Sequence, residues 1–504
     1  MESRTLILIT MLVYVILLMG WGVFQGRKVK SGSDYAIAGR NLPGWVAALS
    51  ERATGESSWA LLGLPGAAYA MGLSEIWTAI GCVAGIVTAW ALLAWRLRDA
   101  AEKYNVTTFT GLLAKAHPEK AQLIRMVSSA AIVFFFFFYV GAQFLGGGKT
   151  LHTMLGLDAR TGMLITAAVI IPYTIYGGFR SVVYTDVVQA LVMIVALIIG
   201  PLAGMYYLAH HPGLYAQSMA AALSKAGPSY TSLTGAVSGF SIGVVIVGGF
   251  SWFFGYLGGQ PQLTTRFMAI RNPQQARMAR NVGIAWTLVA YLGALSIGWI
   301  GLAIFGPEGN AGGLADREFV MPKVMLHIFH PVFAAILITG AIAAMISTAD
   351  SLLILSATEF SENILKPLMK NKNRINRHNL LISRVITALL ALVALMLSWF
   401  TGSKTFIFTL VSYVWAGIGG TFSVVILLTL FWKRFHGNAV VITIIYGITF
   451  TIIWINTGMD QVLTSRITTF VTTLIIAILA TLIFQKKKNG IKVSYKISNE
   501  TVLE

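Results

Sequence analysis

Asn41-Leu42-Pro43-Gly44-Trp45 opens a stretch that continues through Ser50-Glu51-Arg52-Ala53-Thr54-Gly55-Glu56-Ser57-Ser58-Trp59 to Gly63-Leu64-Pro65-Gly66. Its flanks are apolar, its centre is polar and contains glycine, and the whole run (42–71) can cross a hydrocarbon core of about 30 Å at about 1.5 Å per residue. Backbone polar groups in lipid need partners, so such a patch reads as an unwound helix whose freed carbonyls face a cavity. In transporters, breaks of this kind supply cation ligands. Five spans later, Gly248-Gly249-Phe250-Ser251-Trp252-Phe253-Phe254-Gly255-Tyr256 leads into Gly258-Gly259-Gln260-Pro261, a second glycine-interrupted span with aromatics. Two interrupted spans five apart predict inverted five-helix repeats, 42–208 and 234–431, meeting around a midplane site.

The composition around these spans excludes a water-soluble globule. Of 504 residues 56% are hydrophobic and 11% charged, and mean hydropathy is +0.74, so too little polar surface exists to coat about three soluble domains. Thirteen apolar runs of spanning length are expected, near 5–26, 42–71, 74–95, 125–147, 161–179, 182–208, 234–259, 281–305, 328–357, 384–402, 405–431, 437–457 and 466–485. The predicted fold is therefore an all-α polytopic membrane protein. One extra helix (5–26) precedes the repeats, and two (437–485) and a basic tail (486–504) follow them. The first run lacks a small-residue cleavage site and is followed by Arg27, Lys28 and Lys30, so it reads as a retained helix rather than a signal peptide.

Alternating the loops between faces places 28 of the 37 Lys and Arg on one side, in segments including 27–40, 96–125, 266–280 and 366–384. The positive-inside rule makes that side cytoplasmic, with the N-terminus outside and the C-terminus inside, in the plasma (inner) membrane. The net charge of +18 then records orientation and contact with anionic lipid, and gives no reason to expect a nucleic-acid partner. The single Cys82 excludes an internal disulfide and a cysteine-based zinc site.

An ionisable group inside a span costs about 2.5–3.5 kcal/mol on insertion scales, so each one points to a pathway or site. Five qualify: Glu51, Arg52 and Glu56 in the second span, Asp186 in the sixth and Asp350 in the ninth. Arg52 and Glu56 have the spacing of a pair across one helical turn, which would leave Glu51 without a partner. On the ninth span Ala344, Ser347 and Thr348 share one helix face, which suits either a hard monovalent cation or ordinary small-residue packing. Asp350 favours the site, because packing does not require a carboxylate. Gly146-Gly147-Gly148-Lys149-Thr150 ends like a phosphate loop, but Gln143 stands where that motif needs glycine, and the stretch is expected outside the membrane. Phe134 to Phe138 read as lipid-facing or core packing. The eight histidines match no metal spacing, and no nucleophile–base constellation appears, so no enzyme is expected.

Six motifs in order resemble the sodium:solute symporter family over about residues 33–435, proline carriers more than sugar carriers. They are Gly39-Arg40-Asn41-Leu42; Leu61-Leu62-Gly63-Leu64-Pro65-Gly66; Tyr176-Gly177-Gly178-Phe179 with Tyr184-Thr185-Asp186-Val187-Val188-Gln189; Gln260-Pro261 to Arg266-Phe267-Met268-Ala269; Met345-Ile346-Ser347-Thr348; and Leu410-Val411-Ser412-Tyr413-Val414-Trp415-Ala416-Gly417. The resemblance implies thirteen helices, N-terminus outside, with a leucine-transporter-type repeat. It also implies a sodium site on backbone oxygens of Ala53, Glu56 and Ala344 and hydroxyls of Ser347 and Thr348. A second cation site of some members maps to Asp186, Ser347, Asp350 and Ser351. The substrate pocket maps to Ser57, Trp59, Tyr139, Trp252, Tyr256 and Pro261, and Arg40 to the cytoplasmic gate. Glu51 and Arg52 are added coupling candidates.

The family pattern is broken at Gly55, where proline carriers have an aspartate important for sodium, while the next position is Glu56. Gly258-Gly259 also adds one residue before Pro261. The expected function is sodium-coupled uptake of a small organic solute, proline or a related amino acid first. No cofactor is expected besides sodium as coupling ion. The alternatives are a proton-coupled or sodium-independent carrier of the same fold, and a membrane sensor module, for which the short tail leaves no output domain.

Overall fold

The computed structural model describes residues 2–29, 32–309, 312–365, 367, 372–401 and 406–486. The tail from 487 and Lys404 lie outside the described residues. The main helices are α1 (Glu2–Gly26), α2 (Gly44–Ser58), α3 (Leu64–Met71), α4 (Ile76–Thr88), α5 (Ala94–Lys103), α6 (Phe109–Ala116), α7 (Ala121–Leu155), α8 (Ala159–His210), α9 (Met219–Ala226) and α10 (Phe240–Phe250). They continue as α11 (Pro261–Met268), α12 (Pro273–Phe305), α13 (Val320–Ile328), α14 (Pro331–Phe360), α15 (Lys372–Thr401), α16 (Ile407–Val414), α17 (Thr421–Phe431), α18 (Gly437–Asn456) and α19 (Ser465–Lys486). Among the described residues there is no strand, only an isolated bridge between Leu42 and Ile270.

Among the described residues, ten helical segments are long and apolar enough to cross a bilayer, and Ala159–Pro172 and Phe240–Gly255 are shorter apolar helices. Each predicted apolar run overlaps helix among the described residues, the second and third largely within the 60-residue segment Gly44–Lys103. The predicted interruptions occur. α2 breaks at Ser57 (φ 47°, ψ −165°), and a π-helical turn, Trp59–Gly63, joins it to α3. α10 ends before Ser251, a four-residue helix (Trp252–Gly255) follows, and Gly258 takes φ 81° before α11. α8 breaks at Gly178 (φ 60°), between the predicted fifth and sixth runs; a Cβ there would lie 2.5 Å from the Tyr35 ring, so both backbone angle and packing select glycine.

α2 lies at the centre, packed against α14, α8 and α12, while α14 packs most extensively on α8 and α7. Lipid offers no hydrophobic drive for helices to meet, so close approach depends on small residues and on polar contacts. Gly340, Ala341, Ala344, Ser347, Thr348 and Ser351 on α14 provide both, and all are buried. α1 lies outside this core against α8 and α14, and α18 and α19 pair with each other and with the α16–α17 region.

Two loop expectations are corrected. α7 runs on to Leu155, so Gly146–Thr150 is buried helix rather than an outer loop. Its glycines allow contact with the next helix: a Cβ at Gly147 would stand 2.1 Å from Thr166 Oγ1. Lys149, counted among outer-face cations, is buried there and pairs with Asp316 (2.9 Å) and Glu318 (2.6 Å). The Phe134–Phe138 run divides, Phe134 and Phe138 facing outward and Phe135 and Phe136 buried.

Candidate solute and cation site

The break at Ser57 leaves α2 ending in the middle of the fold with its last two turns fully buried. Thr54, one turn before the end, meets α14. Thr348 donates its hydroxyl to Thr54 O at 3.0 Å, and Thr54 Oγ1 lies 3.5 Å from Ser347 Oγ and 3.2 Å from Ser351 Oγ. The face predicted from the spacing of 344, 347 and 348 is thus the face that meets the broken helix. Ala53 and Glu56 flank Thr54, and Ala53, Ala344, Ser347 and Thr348 have no exposed surface. Neutral carbonyl and hydroxyl oxygens from two helices converge here, the donor set a dehydrated monovalent cation requires. Thr54 was not among the predicted residues, although a hydroxyl within the polar patch was signal enough.

Asp186, on α8, occupies the other side of α2. Its Oδ2 accepts from Ser50 Oγ (2.6 Å), Thr54 Oγ1 (3.4 Å) and Arg266 Nη2 (2.9 Å), while Oδ1, also buried, has no hydrogen-bond partner. Arg266 donates further to Ser351 Oγ (2.5 Å), Ser50 Oγ (2.9 Å) and Gln262 O (2.8 Å). Ser351 Oγ lies 3.4 Å from Asp350 Oδ1. Asp186, Ser351 and Asp350, three of the four residues mapped to a second cation site with Ser347, are linked through these contacts, and a guanidinium of the chain itself binds among them. The charge count assigned Arg266 to a cytoplasmic loop; it is 1% exposed. Its signal lay in the position, one arginine on the short helix after the second interruption.

Glu51, Arg52 and Glu56 form a separate cluster on the α12 side. Arg52 binds both Glu51 oxygens, through Nε (2.5 Å) and Nη2, and reaches Glu56 Oε1 through Nη1 (3.0 Å) and Thr287 Oγ1 (3.3 Å). Glu51 is therefore not left unpaired, contrary to expectation, because one guanidinium serves both carboxylates and Trp90 Nε1 adds a donor at 3.1 Å. Fork geometry makes this possible, since guanidinium presents five donors in one plane. A Cβ at Gly55 would stand 3.3 Å from Arg52 Nη2, so an aspartate there would compete for the same cation.

Beyond the break, aromatic side chains from both interrupted segments meet. Trp59 and Trp252 stack at 4.4 Å with planes 10° apart, Trp415 lies 5.7 Å from Trp252 and 5.1 Å from Tyr256, and Tyr139 lies 6.1 Å from Trp415. Polar contacts hold the rings in place: Tyr139 donates to Ser57 Oγ (3.2 Å), Trp59 Nε1 to Gly55 O (3.1 Å), and Tyr256 shares a hydrogen bond with Tyr291 (3.1 Å). Five of the six predicted pocket residues, Ser57, Trp59, Tyr139, Trp252 and Tyr256, form one contiguous cluster. Pro261 begins α11, next to Gln260 and Gln262. Trp415, Tyr291 and Gln143 were missed; Gln143 Oε1 accepts from the Ser58 backbone amide (3.1 Å), a donor freed by the break.

Arg40 stands apart, half-buried and tied to the end of α5 by bonds to Ala101 O (2.7 Å) and Asn105 Oδ1 (2.8 Å). It joins two segments assigned to the cytoplasmic face. Glu359, beyond the predicted end of the ninth span, is a buried carboxylate held by Thr110, Ser129 (3.0 Å) and Asn363 (2.6 Å).

The chain is similar to known transporters. The chain is 32% identical to the high-affinity proline transporter PutP of Bacillus subtilis over 95% of its own length and 99% of that protein. It is 31% identical to the osmoregulated proline transporter OpuE of the same organism, covering 90% of each chain. It is likewise 31% identical to the sodium/proline symporter of Escherichia coli, over 90% of this chain and 88% of that one. A solved Na+-coupled sialic acid symporter matches the fold with a TM-score of 0.78 at 16% identity, covering 95% of this chain and 98% of its own. A transporter of the nucleobase-cation-symport-1 family, solved in a closed conformation, matches with a TM-score of 0.54 at 13% identity, over 91% and 95%. With the family model matching residues 35–447, the chain belongs to the sodium:solute symporter family.

Proposed function

We propose that this multi-pass plasma-membrane protein is a secondary active transporter, not an enzyme, that couples sodium entry to uptake of proline or a closely related amino acid. The reading takes thirteen crossings with the N-terminus outside and two inverted five-helix units. The observation that carries it is the meeting of the broken α2 with α14, where Thr348 Oγ1 bonds Thr54 O beside Ala53, Glu56, Ala344 and Ser347. The proline-transporting relatives supply the solute class, and the aromatic box suits a small apolar ring.

Sodium on the Ala53, Glu56 and Ala344 carbonyls and the Ser347 and Thr348 hydroxyls ties α2 to α14. That differential affinity stabilises the state open to the outside and ready for solute. Linkage is reciprocal, so solute tightens sodium binding by the same factor. One charge moving through 100 mV releases about 2.3 kcal/mol, enough for roughly fifty-fold accumulation before any chemical gradient is counted. Arg266 fills the second cation position with a fixed charge, which favours one sodium per cycle. Arg40 acts at the inner gate by holding the segment before α2 against α5.

A second reading, proton coupling, draws on Gly55 and on Glu56, whose Oε2 is buried without a hydrogen-bond partner of good geometry. Proteoliposome uptake of labelled proline separates the two. Uptake that needs an inward sodium gradient and survives a protonophore supports sodium. Uptake that persists without sodium and collapses with the protonophore overturns it.

A further inference from the structure

Arg466 opens α19, at the first position of the predicted last span, where it was counted with the outer face; its guanidinium is buried against the aromatic box. It lies over the Trp252 ring, 4.7 Å from the centroid, and Trp252 in turn stacks on Trp59. Nε donates to Ser251 Oγ at 2.9 Å, Nη2 to Gly248 O at 2.8 Å, and Nη1 to Ser412 Oγ. All three acceptors are neutral, and two of the five guanidinium N–H bonds remain.

The charge itself has no carboxylate in contact among the described residues. The other fully buried guanidiniums have carboxylates: Arg52 has Glu51 and Glu56, and Arg266 has Asp186. Buried Lys149 has Asp316 and Glu318. Arg466 makes no ion pair among the described residues. Two acids, Asp460 and Glu75, act on it through space without touching it: Asp460 accepts from the Ser465 amide at 2.6 Å, and neither forms an ion pair with the guanidinium. Burying an unpaired charge costs several kcal/mol, and neutral acceptors and one ring face offset it only in part. The start of α19 adds the positive end of a helix dipole to the same spot.

Resting on the transport reading above, we propose that Arg466 is the carboxylate-recognising residue of the solute path: it binds the anionic group of an amino acid entering from outside while the aromatic box receives the ring. The cation then gains a carboxylate in direct contact only when solute arrives. This makes Arg466 specificity-determining, selecting acids over amides of the same shape. Ser251, at the second interruption, and Ser412 hold the guanidinium fork in position.

The test compares proline with prolinamide in the full-length protein, wild type and the variants Arg466→Gln and Arg466→Lys. Sodium-dependent uptake in proteoliposomes and quenching of intrinsic tryptophan fluorescence on binding are both read. Arg466→Gln is expected to raise the half-saturating proline concentration about 10- to 100-fold and to leave the weak competition by prolinamide unchanged. Arg466→Lys should recover part of the loss. If Arg466→Gln leaves proline unaffected, or weakens acid and amide equally, the proposal is overturned while sodium coupling stands. Sodium-driven uptake confined to solutes without a carboxylate overturns it in the same way. If no solute shows sodium dependence, the transport reading fails, and the acid-against-amide difference in fluorescence still decides the role of Arg466.

Discussion

Replacing Thr348 by Val removes one hydroxyl and little volume from a side chain with no exposed surface, so packing between α14 and α2 is preserved. What is lost depends on what the hydroxyl does. As a helix-to-helix hydrogen bond to Thr54 O at 3.0 Å it contributes about 0.5–1.5 kcal/mol to stability, independent of sodium. As a ligand to a desolvated cation it is a contact to a charged group, worth about 1.5–3 kcal/mol, or roughly 10- to 150-fold in sodium affinity. The assay is the initial rate of labelled proline uptake by proteoliposomes across a sodium series, with choline holding ionic strength constant. Thr348→Val should raise the half-activating sodium concentration at least about tenfold and keep most of the maximal rate. Ser347→Ala should move it in the same direction. The double variant should fall short of the product of the two effects, since both hydroxyls serve one ion. An unchanged sodium curve in a Thr348→Val protein that melts earlier would mean that the hydroxyl only joins two helices, and the cation site would have to be sought elsewhere.

Three further outcomes follow from the same contacts. Arg266→Met strands Asp186 as a buried carboxylate and should destabilise the protein by about 3–5 kcal/mol, seen as early thermal inactivation in detergent; pairing it with Asp186→Asn should recover much of the loss. Gly259→Ala places a Cβ 2.3 Å from both Gly419 O and Ser423 N, so the backbone next to Pro261 must shift, and uptake should drop at unchanged expression. Tyr139→Phe removes the bond to Ser57 Oγ (3.2 Å) that braces the broken end of α2, and should raise the half-saturating proline concentration by roughly two- to tenfold with sodium activation little changed.

The breaks were legible because lipid permits so few ways to leave a backbone group unpaired. Polar, glycine-bearing interruptions at Ser50–Ser58 and Gly248–Pro261 appear in the fold at Ser57 and at Ser251 to Gly258. The face of α14 was legible for a similar reason, as helical spacing alone puts 344, 347 and 348 together. What escaped notice were the cations. Arg266, Lys149 and Arg466 all sit near the ends of apolar runs, where hydropathy cannot separate a loop residue from a buried one, and each is fixed by partners over 50 residues away in sequence. Pairing of that kind is tertiary information.

Those cations explain how a helix so rich in polar groups stays in place. α2 carries Ser50, Glu51, Arg52, Thr54 and Glu56 on successive turns, and a helix that polar has no stable position against lipid. Arg52 closes the α12 side by binding both acids of its own helix, so that side needs only Thr287 and Trp90 from its neighbours. On the α8 side Ser50 and Thr54 depend on Asp186, and Asp186 depends on Arg266 from the other interrupted segment. The ion pairs of the first cluster lie within α2 itself. The second joins α2, α8 and α11, so any motion of α2 against α8 must rearrange it. Coupling is thus better sought at Asp186 and Arg266 than at Glu51 and Arg52, and the polar faces of Thr54 and Thr348 lie where a cation can bias that rearrangement.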